Sequence, residues 1–585
     1  MDDLELPKYT DYISILHAFE VAVENYKDKP LVHYQAAPKS MEFKTLTYRE
    51  VDIITTYLAN KWGPILLPAI SSDEAQCVAT LGHESSVQSM LMFFTILKLG
   101  LPYFTIPSNC DKTITTHLLK LGKPGYIIAS NTYFKTKLHL STTMTINDVT
   151  IPVEPWEEYD MDYLIKVATT AAKKQQYTKL NGVPVNQESP AFIVATGGTT
   201  SDFPNIIVRS NQSMLYCLNE ILLKSKDLVK VNENNNNKDK TPLRHPVMKS
   251  TDIGLMAIPL DRFSTIGDGF LWSMLVGSAV LVFHHDPPPT MHEILAVIKN
   301  YKVTWMRCTV TQLNRLGDYY TQELGGEEEN AEIIPATALE AFKGCLYGGA
   351  PVRLSTEKTL KAQGFKLTPV YAGSAMPYLS FELFDQDMYQ LVIRNNYPGL
   401  PKGIGNRPNG DFVNGDLFVT NDKHKSHNIW TFVGRVFHVF TMESGKKVCP
   451  TRMELEVCYE DIIQNCALIG ENRKCTAIIV ELSVEKAVNY SPNAMITKVY
   501  EAVHRANKYV PKHYTVIVPD MVYILPLNKR LSLTVKDTVF HPKVIAEFAQ
   551  EIEQMYNNND INASVHFNNN AAAIEDLSVK DNNEY

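Results

Sequence analysis

Residues 191–208 read Ala191-Phe192-Ile193-Val194-Ala195-Thr196-Gly197-Gly198-Thr199-Thr200-Ser201-Asp202-Phe203-Pro204-Asn205-Ile206-Ile207-Val208. An apolar run leads into glycines and hydroxyls, and a second β-branched run follows, so the spacing predicts strand, loop, strand. Glycines let backbone N–H groups converge on an anion, and a row of hydroxyls adds donors around it. No Gly-Lys-Ser/Thr opens a helix here, so this is not a Walker loop. Taken alone, the stretch is more simply a Gly/Thr-rich hairpin turn with no ligand.

Outward from this loop the chain alternates short apolar runs with helical patterns. Residues 126–129 and 280–283 read as buried strands. Thr47 and Glu50 have capping-box spacing, and Val51, Ile54, Leu58 and Trp62 place an apolar stripe on the helix that follows. The alternation predicts the α/β class: a large body of layered α/β subdomains over residues 1–435, then a small α+β lid subdomain over residues 436–556. Residues 229–241 are Asn-rich and polar, which predicts a surface insertion, and the Asn-rich, acidic residues 557–585 predict a disordered tail.

The 585 residues carry 45% hydrophobic and 21% charged side chains, a globular composition. At about 150 residues per domain, several units are expected. A net charge of −8 argues against a dedicated nucleic-acid binder, which would offer a basic face to phosphates. The longest apolar stretch, residues 269–283, falls short of the ~20 residues a spanning helix needs, so a buried helix running into a strand is expected and no membrane span. Nine cysteines, none with CxxC spacing, fit reduced thiols in a cytoplasmic protein. The acidic start, Met1-Asp2-Asp3-Leu4-Glu5, lacks the features of a signal peptide.

The loop resembles the nucleotide loop of the adenylate-forming superfamily (acyl-CoA synthetases, luciferases and nonribosomal-peptide adenylation domains), whose pattern is Ser/Thr-Gly-Thr-Thr-Gly-x-Pro-Lys-Gly. Further blocks follow in that family's order. Tyr347-Gly348-Gly349-Ala350-Pro351 looks like the strand end along the adenine, and Tyr371-Ala372-Gly373-Ser374-Ala375 occupies the place of Tyr-Gly-x-Thr-Glu. Gly415-Asp416-Leu417 is similar to the Thr-Gly-Asp-Leu block, and Gly434-Arg435 to the Gly-Arg-x-Asp hinge. Gly445-Lys446-Lys447-Val448-Cys449-Pro450 with Glu454 resembles a run typical of fungal aminoadipate-reductase-like proteins. Leu531-Ser532-Leu533-Thr534-Val535-Lys536 looks like the block that delivers a catalytic lysine. The resemblance covers residues 10–556, and the loop with six further ordered blocks is specific where one block would be weak.

The resemblance implies ATP-dependent activation of an amino, aryl or fatty acid as an acyl-adenylate, with Mg²⁺, release of pyrophosphate, and CoA or a carrier protein in trans as acceptor. It places Thr196, Gly197, Gly198, Thr199, Thr200 and Ser201 around phosphate, and Gly348, Gly349, Ala350, Pro351, Tyr371 and Ser374 around adenine. Asp416 would take the ribose hydroxyls, Arg435 a ribose or phosphate oxygen, Lys536 the carboxylate and α-phosphate oxygens, and Asp261 a wall of the acyl pocket. Two residues keep an alternative: Lys529 competes with Lys536 for the catalytic role, and Asp261 reads equally as a helix cap.

Several positions depart from the pattern. Asn205 stands where the family has Lys, Ser201 where it has Gly, and one extra residue precedes Pro204. Ala375 replaces the Glu that holds Mg²⁺, and a methyl group cannot ligate a hard cation. Phe437 and His438 follow Arg435-Val436 where two aspartates are usual. Three functional classes are therefore expected: an adenylating enzyme of weak activity, an impaired homologue that binds nucleotide, acyl group or partner, or an acyl-CoA ligase. No Gly-Gly-x-Ser-like serine follows Tyr556, so a stand-alone module or a fragment of a longer protein is expected. His424-x-x-His427 and His284-His285-Asp286 read as solvated loop residues rather than metal ligands, since neither has a third ligand in view.

Overall fold

The computed structural model describes residues 8–37, 39–70, 76–82, 87–108, 110–156, 160–174, 182–195, 203–218, 249–259, 264–284, 288–325, 339, 342–348, 352, 354–369, 380–385, 388–420, 430–533 and 539–557. The chain divides into two compact units. The first is Met1–Leu379 with Ile393–Phe412, and the second is Ser380–Val392 with Val413–Tyr585.

Two seven-stranded sheets build the first unit. One runs, in spatial order, Leu367–Pro369, Gly344–Gly348, Trp305–Thr309, Ile253–Met256, Ala279–Val282, Pro30–Gln35 and Phe43–Thr47. Its neighbours are parallel except for the final pair. The other runs Thr143–Ile146, Val149–Pro155, Pro124–Ala129, Cys77–Leu81, Tyr103–Ile106, Pro190–Ala195 and Ile206–Ser210. It is parallel in the middle and antiparallel at both edges.

Both sheets are covered on both faces, which explains why their strands read as unbroken apolar runs. Val280 and Val282 share a central core with Phe192 and Val194. Leu281 and Phe283, pointing the other way, pack with helix Met291–Asn300 through Ile294 and Ile298. Ala79 and Leu81 do the same on the outer face of the second sheet, with Leu118 and Leu119 of helix Lys112–Gly122.

Helices fill the layer between the sheets, and their sequences show why. Thr47 caps helix Tyr48–Ala69 by accepting from the Glu50 backbone N–H while Glu50 answers to the Thr47 N–H at 2.8 Å, so the expected capping box is present. Val51, Ile54, Leu58 and Trp62 are all buried, and the Trp62 ring stacks on Trp156 at 5.6 Å. The apolar stretch before the strand Ala279–Val282 is helical through Trp272–Val276, as expected.

The second unit opens on a four-stranded sheet in the order Ser380–Asp385, Met388–Ile393, Phe412–Thr420 and Trp430–Arg435. A three-stranded sheet follows, Ile463–Ile469, Ala477–Leu482 and Val522–Ile524, with helices Pro450–Val457, Pro492–Asn507 and His541–Glu547. Leu417 and Val433 of the first sheet share one core with Met453, Val480, Val503 and Val544. That shared core groups residues 380–392 and 413–435 with the C-terminal elements. No helix among the described residues is long and apolar enough to cross a membrane.

Candidate nucleotide-binding site

Strands Phe412–Thr420 and Trp430–Arg435 run antiparallel with Asp416 directly opposite Arg435. Residues opposed in this way bring their side chains to one face, where opposite charges meet. Arg435 Nε lies 2.8 Å from Asp416 Oδ1, with the Asp416 side chain 8% exposed and that of Arg435 29%. Asn414 Nδ2 donates to the other carboxylate oxygen at 2.9 Å, and the Asp416 backbone N–H donates to Asn414 Oδ1 at 3.0 Å. Between them Gly415 has φ +79°, a left-handed conformation that lets the chain turn back so that both bonds form. The result is an acceptor-only carboxylate, hydrogen-bonded at Oδ2 and ion-paired at Oδ1 to a rigid fork of donors.

Gly434, next to Arg435, is confined from the other side. Its φ is +152°, and a Cβ there would lie 2.3 Å from Cys449 Sγ. The Cys449 thiol itself donates to the Val433 carbonyl at 3.2 Å, so it has little room to withdraw. Gly434→Ala is expected to destabilise the second unit by about 2–3 kcal/mol, through an unfavourable backbone conformation and overpacking together. Urea unfolding checks this, and an unchanged midpoint would refute the close approach.

After Arg435 the chain makes a 3₁₀ turn, Val436–His438. Phe437 is 41% exposed, and the Arg435 guanidinium lies 5.8 Å from the centre of its ring. His438 turns inward against His541, ring centres 5.1 Å apart. His541 Nε2 is 2.6 Å from Glu454 Oε1, which also accepts from the Leu468 backbone N–H at 2.8 Å. Burial opposes the charged form of His541, but the Glu454 carboxylate outweighs it and raises the pKa above the ordinary 6.5. Burial, then the neighbouring His541 charge and Arg435, push His438 down to about 4 against the pull of Glu454.

The two histidines therefore act on stability in opposite directions. The His541 contribution is fully present below its unfolded pKa near 6.5 and disappears as pH rises through the higher folded value. His438 is held neutral in the folded state, so stability falls as pH drops from 6.5 towards about 4. His438→Gln is expected to flatten the acid limb of the stability curve, and His541→Gln to lose most at pH below 6.5. Thermal unfolding across pH 4–8 checks both signs.

Of the residues the sequence singles out, Asp416 and Arg435 come together, and Gly348 ends a strand at the carboxyl edge of the first sheet, in register with Thr309. Such edges are where open α/β sheets bind ligands. Asn205 is exposed and its Oδ1 accepts from the Ile206 backbone N–H at 2.9 Å. Lys529 sits over the Phe548 ring and lies 3.4 Å from Glu551, so its ammonium has local partners. Thr196, Gly197, Gly198, Thr199, Thr200, Ser201, Asp261, Gly349, Ala350, Pro351, Tyr371, Ser374, Ala375 and Lys536 lie outside the described residues, as do the 229–241 insertion, the 557–585 tail beyond Asn557, and His424, His427, His285 and Asp286. The chain flanking Lys536 is described: Leu533 bridges Val539, and the Phe540 N–H donates to the Ser532 carbonyl at 2.9 Å. Sequence reasoning missed Asn414 and His541. The Asn-Gly-Asp spacing could have revealed Asn414, since Asn before Gly commonly folds back on the backbone. Among the described residues no group of three or more His, Cys, Asp or Glu could hold a metal ion.

Known proteins resemble this chain in sequence and in fold. Residues 19–375 match the family model of AMP-binding enzymes, and residues 438–560 match that of the AMP-binding enzyme C-terminal domain. The adenylate-forming reductase stbB of Stachybotrys bisbyi is 21% identical over 539 residues, 88% of this chain and 46% of that protein. The adenylate-forming reductase Nps9 of Serpula lacrymans var. lacrymans is 22% identical over 374 residues, 56% of this chain and 32% of that one. The chain thus spans less than half the length of these curated relatives. Among solved structures, the A domain of carboxylic acid reductase from Segniliparus rugosus, in complex with AMP and a co-purified carboxylic acid, superposes with a TM-score of 0.66 at 13% identity, covering 93% of this chain and 94% of that one. ATP-bound MatB from Rhodopseudomonas palustris gives 0.65 at 14% identity, covering 92% and 99%. With the fold shared across nearly its whole length and more than half of the chain matched by one family model, this chain belongs to the AMP-binding enzymes, the adenylate-forming family that activates carboxylic acids.

Proposed function

We propose that this chain joins a carboxylic acid to ATP, forming an acyl-adenylate and releasing pyrophosphate. The observation that carries the reading is the Asp416–Arg435 pair with Asn414 behind it. An ionised carboxylate accepts only, so it suits two vicinal ribose hydroxyls, while Arg435 donates to a ribose or phosphate oxygen. Neither residue needs to move far, because the strand register already sets them side by side.

In this reading Thr196, Gly197, Gly198, Thr199, Thr200 and Ser201 hold the outer phosphates. Gly348, Gly349, Ala350 and Pro351 lie along the adenine, with Tyr371 stacking on it and Ser374 nearby. Lys536, on the 436–556 segment acting as a lid, neutralises charge as the acid carboxylate attacks the α-phosphate, and Asp261 lines the acyl pocket. Both reactants are anions, so the residues must hold them in line and keep water from the mixed anhydride. Ala375 offers no oxygen to Mg²⁺, so the metal would rely on the triphosphate and water. CoA or a carrier protein would receive the acyl group, and the acid is amino, aryl or fatty.

A second reading is favoured by the same departures. With Asn205 and Ala375 in place of the charged residues, the chain would bind nucleotide and acid without turning them over usefully. Acid-dependent exchange of pyrophosphate into ATP, over a panel of amino, aryl and fatty acids, separates the two. Exchange that disappears in Asp416→Ala and Lys536→Ala supports the enzyme. Nucleotide binding without exchange for any acid supports the binding module.

A further inference from the structure

The second unit brings two thiols together where a helix packs on a strand. Cys458 ends helix Pro450–Val457, and Cys466 lies on strand Ile463–Ile469 that packs against it. Their sulfurs are 3.5 Å apart. Cys458 is partly exposed, whereas Cys466 is 2% exposed. The Cys466 thiol also donates to the Glu454 carbonyl at 3.5 Å, and that carbonyl accepts from the Cys458 backbone N–H at 2.9 Å. One turn of helix thus directs both thiols to the same place.

We propose that Cys458 and Cys466 form an oxidisable pair, a modification site that closes into a disulfide on exposure to a small disulfide such as glutathione disulfide. Cys458, the accessible member, attacks one sulfur of glutathione disulfide as its thiolate. One glutathione leaves as a thiol, having taken the proton that Cys458 lost, and a mixed disulfide remains. Cys466 then attacks the Cys458 sulfur. The second glutathione leaves with the Cys466 proton, so two protein thiols are oxidised while one glutathione disulfide is reduced to two thiols. Burial, then the hydrogen bond to Cys458, hold the Cys466 thiol well above its ordinary range, so it serves as resolving rather than attacking group.

The two cysteines are eight positions apart, and the chain between them carries Glu460, which pairs with Lys498 at 3.1 Å and Arg505 at 3.6 Å on helix Pro492–Asn507. The cross-link therefore ties helix, loop and strand within one unit, and a closed loop of this size raises unfolding midpoints by about 5 °C. Cys308 and Cys345, on neighbouring strands of the first sheet, supply an internal control. Their sulfurs are 3.9 Å apart, but both are buried, at 3% and 0% exposure, and no oxidant reaches them first.

Treatment of the full chain with glutathione disulfide, followed by peptide mass spectrometry without reduction, tests the proposal. The expected product is a single cross-linked peptide joining Cys458 to Cys466, with two hydrogens lost, Cys308 and Cys345 still reduced, and a raised midpoint that Cys458→Ser does not share. A lasting glutathione adduct on Cys458 with Cys466 free, or both thiols unmodified in protein that oxidises elsewhere, overturns it. Neither result depends on whether the chain adenylates an acid.

Discussion

Asp416→Ala is expected to weaken ATP binding by about 100-fold while leaving the fold intact. The carboxylate offers two charge-assisted hydrogen bonds to ribose, each contributing about 1.5 kcal/mol or more, and 1.4 kcal/mol is a tenfold change in affinity. The loss also removes the partner 2.8 Å from Arg435, whose side chain keeps 29% exposure and stays hydrated. Asp416→Asn keeps the shape but turns one acceptor into a donor that faces a hydroxyl, so a smaller loss of about tenfold is expected. Competition against a fluorescent ATP analogue measures both variants. Equal affinity for the wild-type protein and Asp416→Ala contradicts the placement of the ribose.

The opposite change is expected from restoring charge at the departed positions. Asn205→Lys together with Ala375→Glu should raise acid-dependent pyrophosphate exchange by about 100-fold, since one preorganised electrostatic group is typically worth 10²–10³ in rate. Asn205 now spends its side-chain oxygen on the neighbouring Ile206 N–H, and its site is exposed, so a longer cation has room to extend. A glutamate at 375 would supply the oxygen ligand that Mg²⁺ requires. Initial rates of exchange with the best acid in the panel measure the gain. Unchanged or lower exchange in the double variant, with nucleotide affinity retained, would mean that the catalytic geometry was lost along with the charges.

Much of the fold was legible because its strands are covered on both faces. Unbroken apolar runs such as Phe192-Ile193-Val194 and Val280-Leu281-Val282 announce a parallel sheet between helices, and the capping box at Thr47 and Glu50 fixes a helix start. Strand order was not legible: it depends on which parallel runs meet sideways, and Ala279–Val282 lies between Ile253–Met256 and Pro30–Gln35, partners far apart in the chain. The sharing of one core across residue 436 was not legible either: Leu417 and Val433 bury their side chains with residues far along the chain after it, a long-range packing that local pattern does not carry.

At the site, Asp416 and Arg435 could be named from motif order, but their opposition across one ladder rung follows from the register of two strands separated by residues 421–429. The His438–His541–Glu454 contact was invisible for the same reason: it joins residues over 80 positions apart. In the sequence His438 reads only as the absence of an acid. In the structure it packs against His541, close enough to Arg435 for that charge to depress its pKa.

The central claim is that Asp416 and Arg435 receive an adenosine. Calorimetric titration of the full chain with a non-hydrolysable acyl-adenylate analogue tests it most directly. The account predicts a saturable one-site isotherm whose affinity falls about 100-fold in Asp416→Ala and drops strongly in Arg435→Ala. No heat at millimolar ligand, or an isotherm identical in all three proteins, would contradict it.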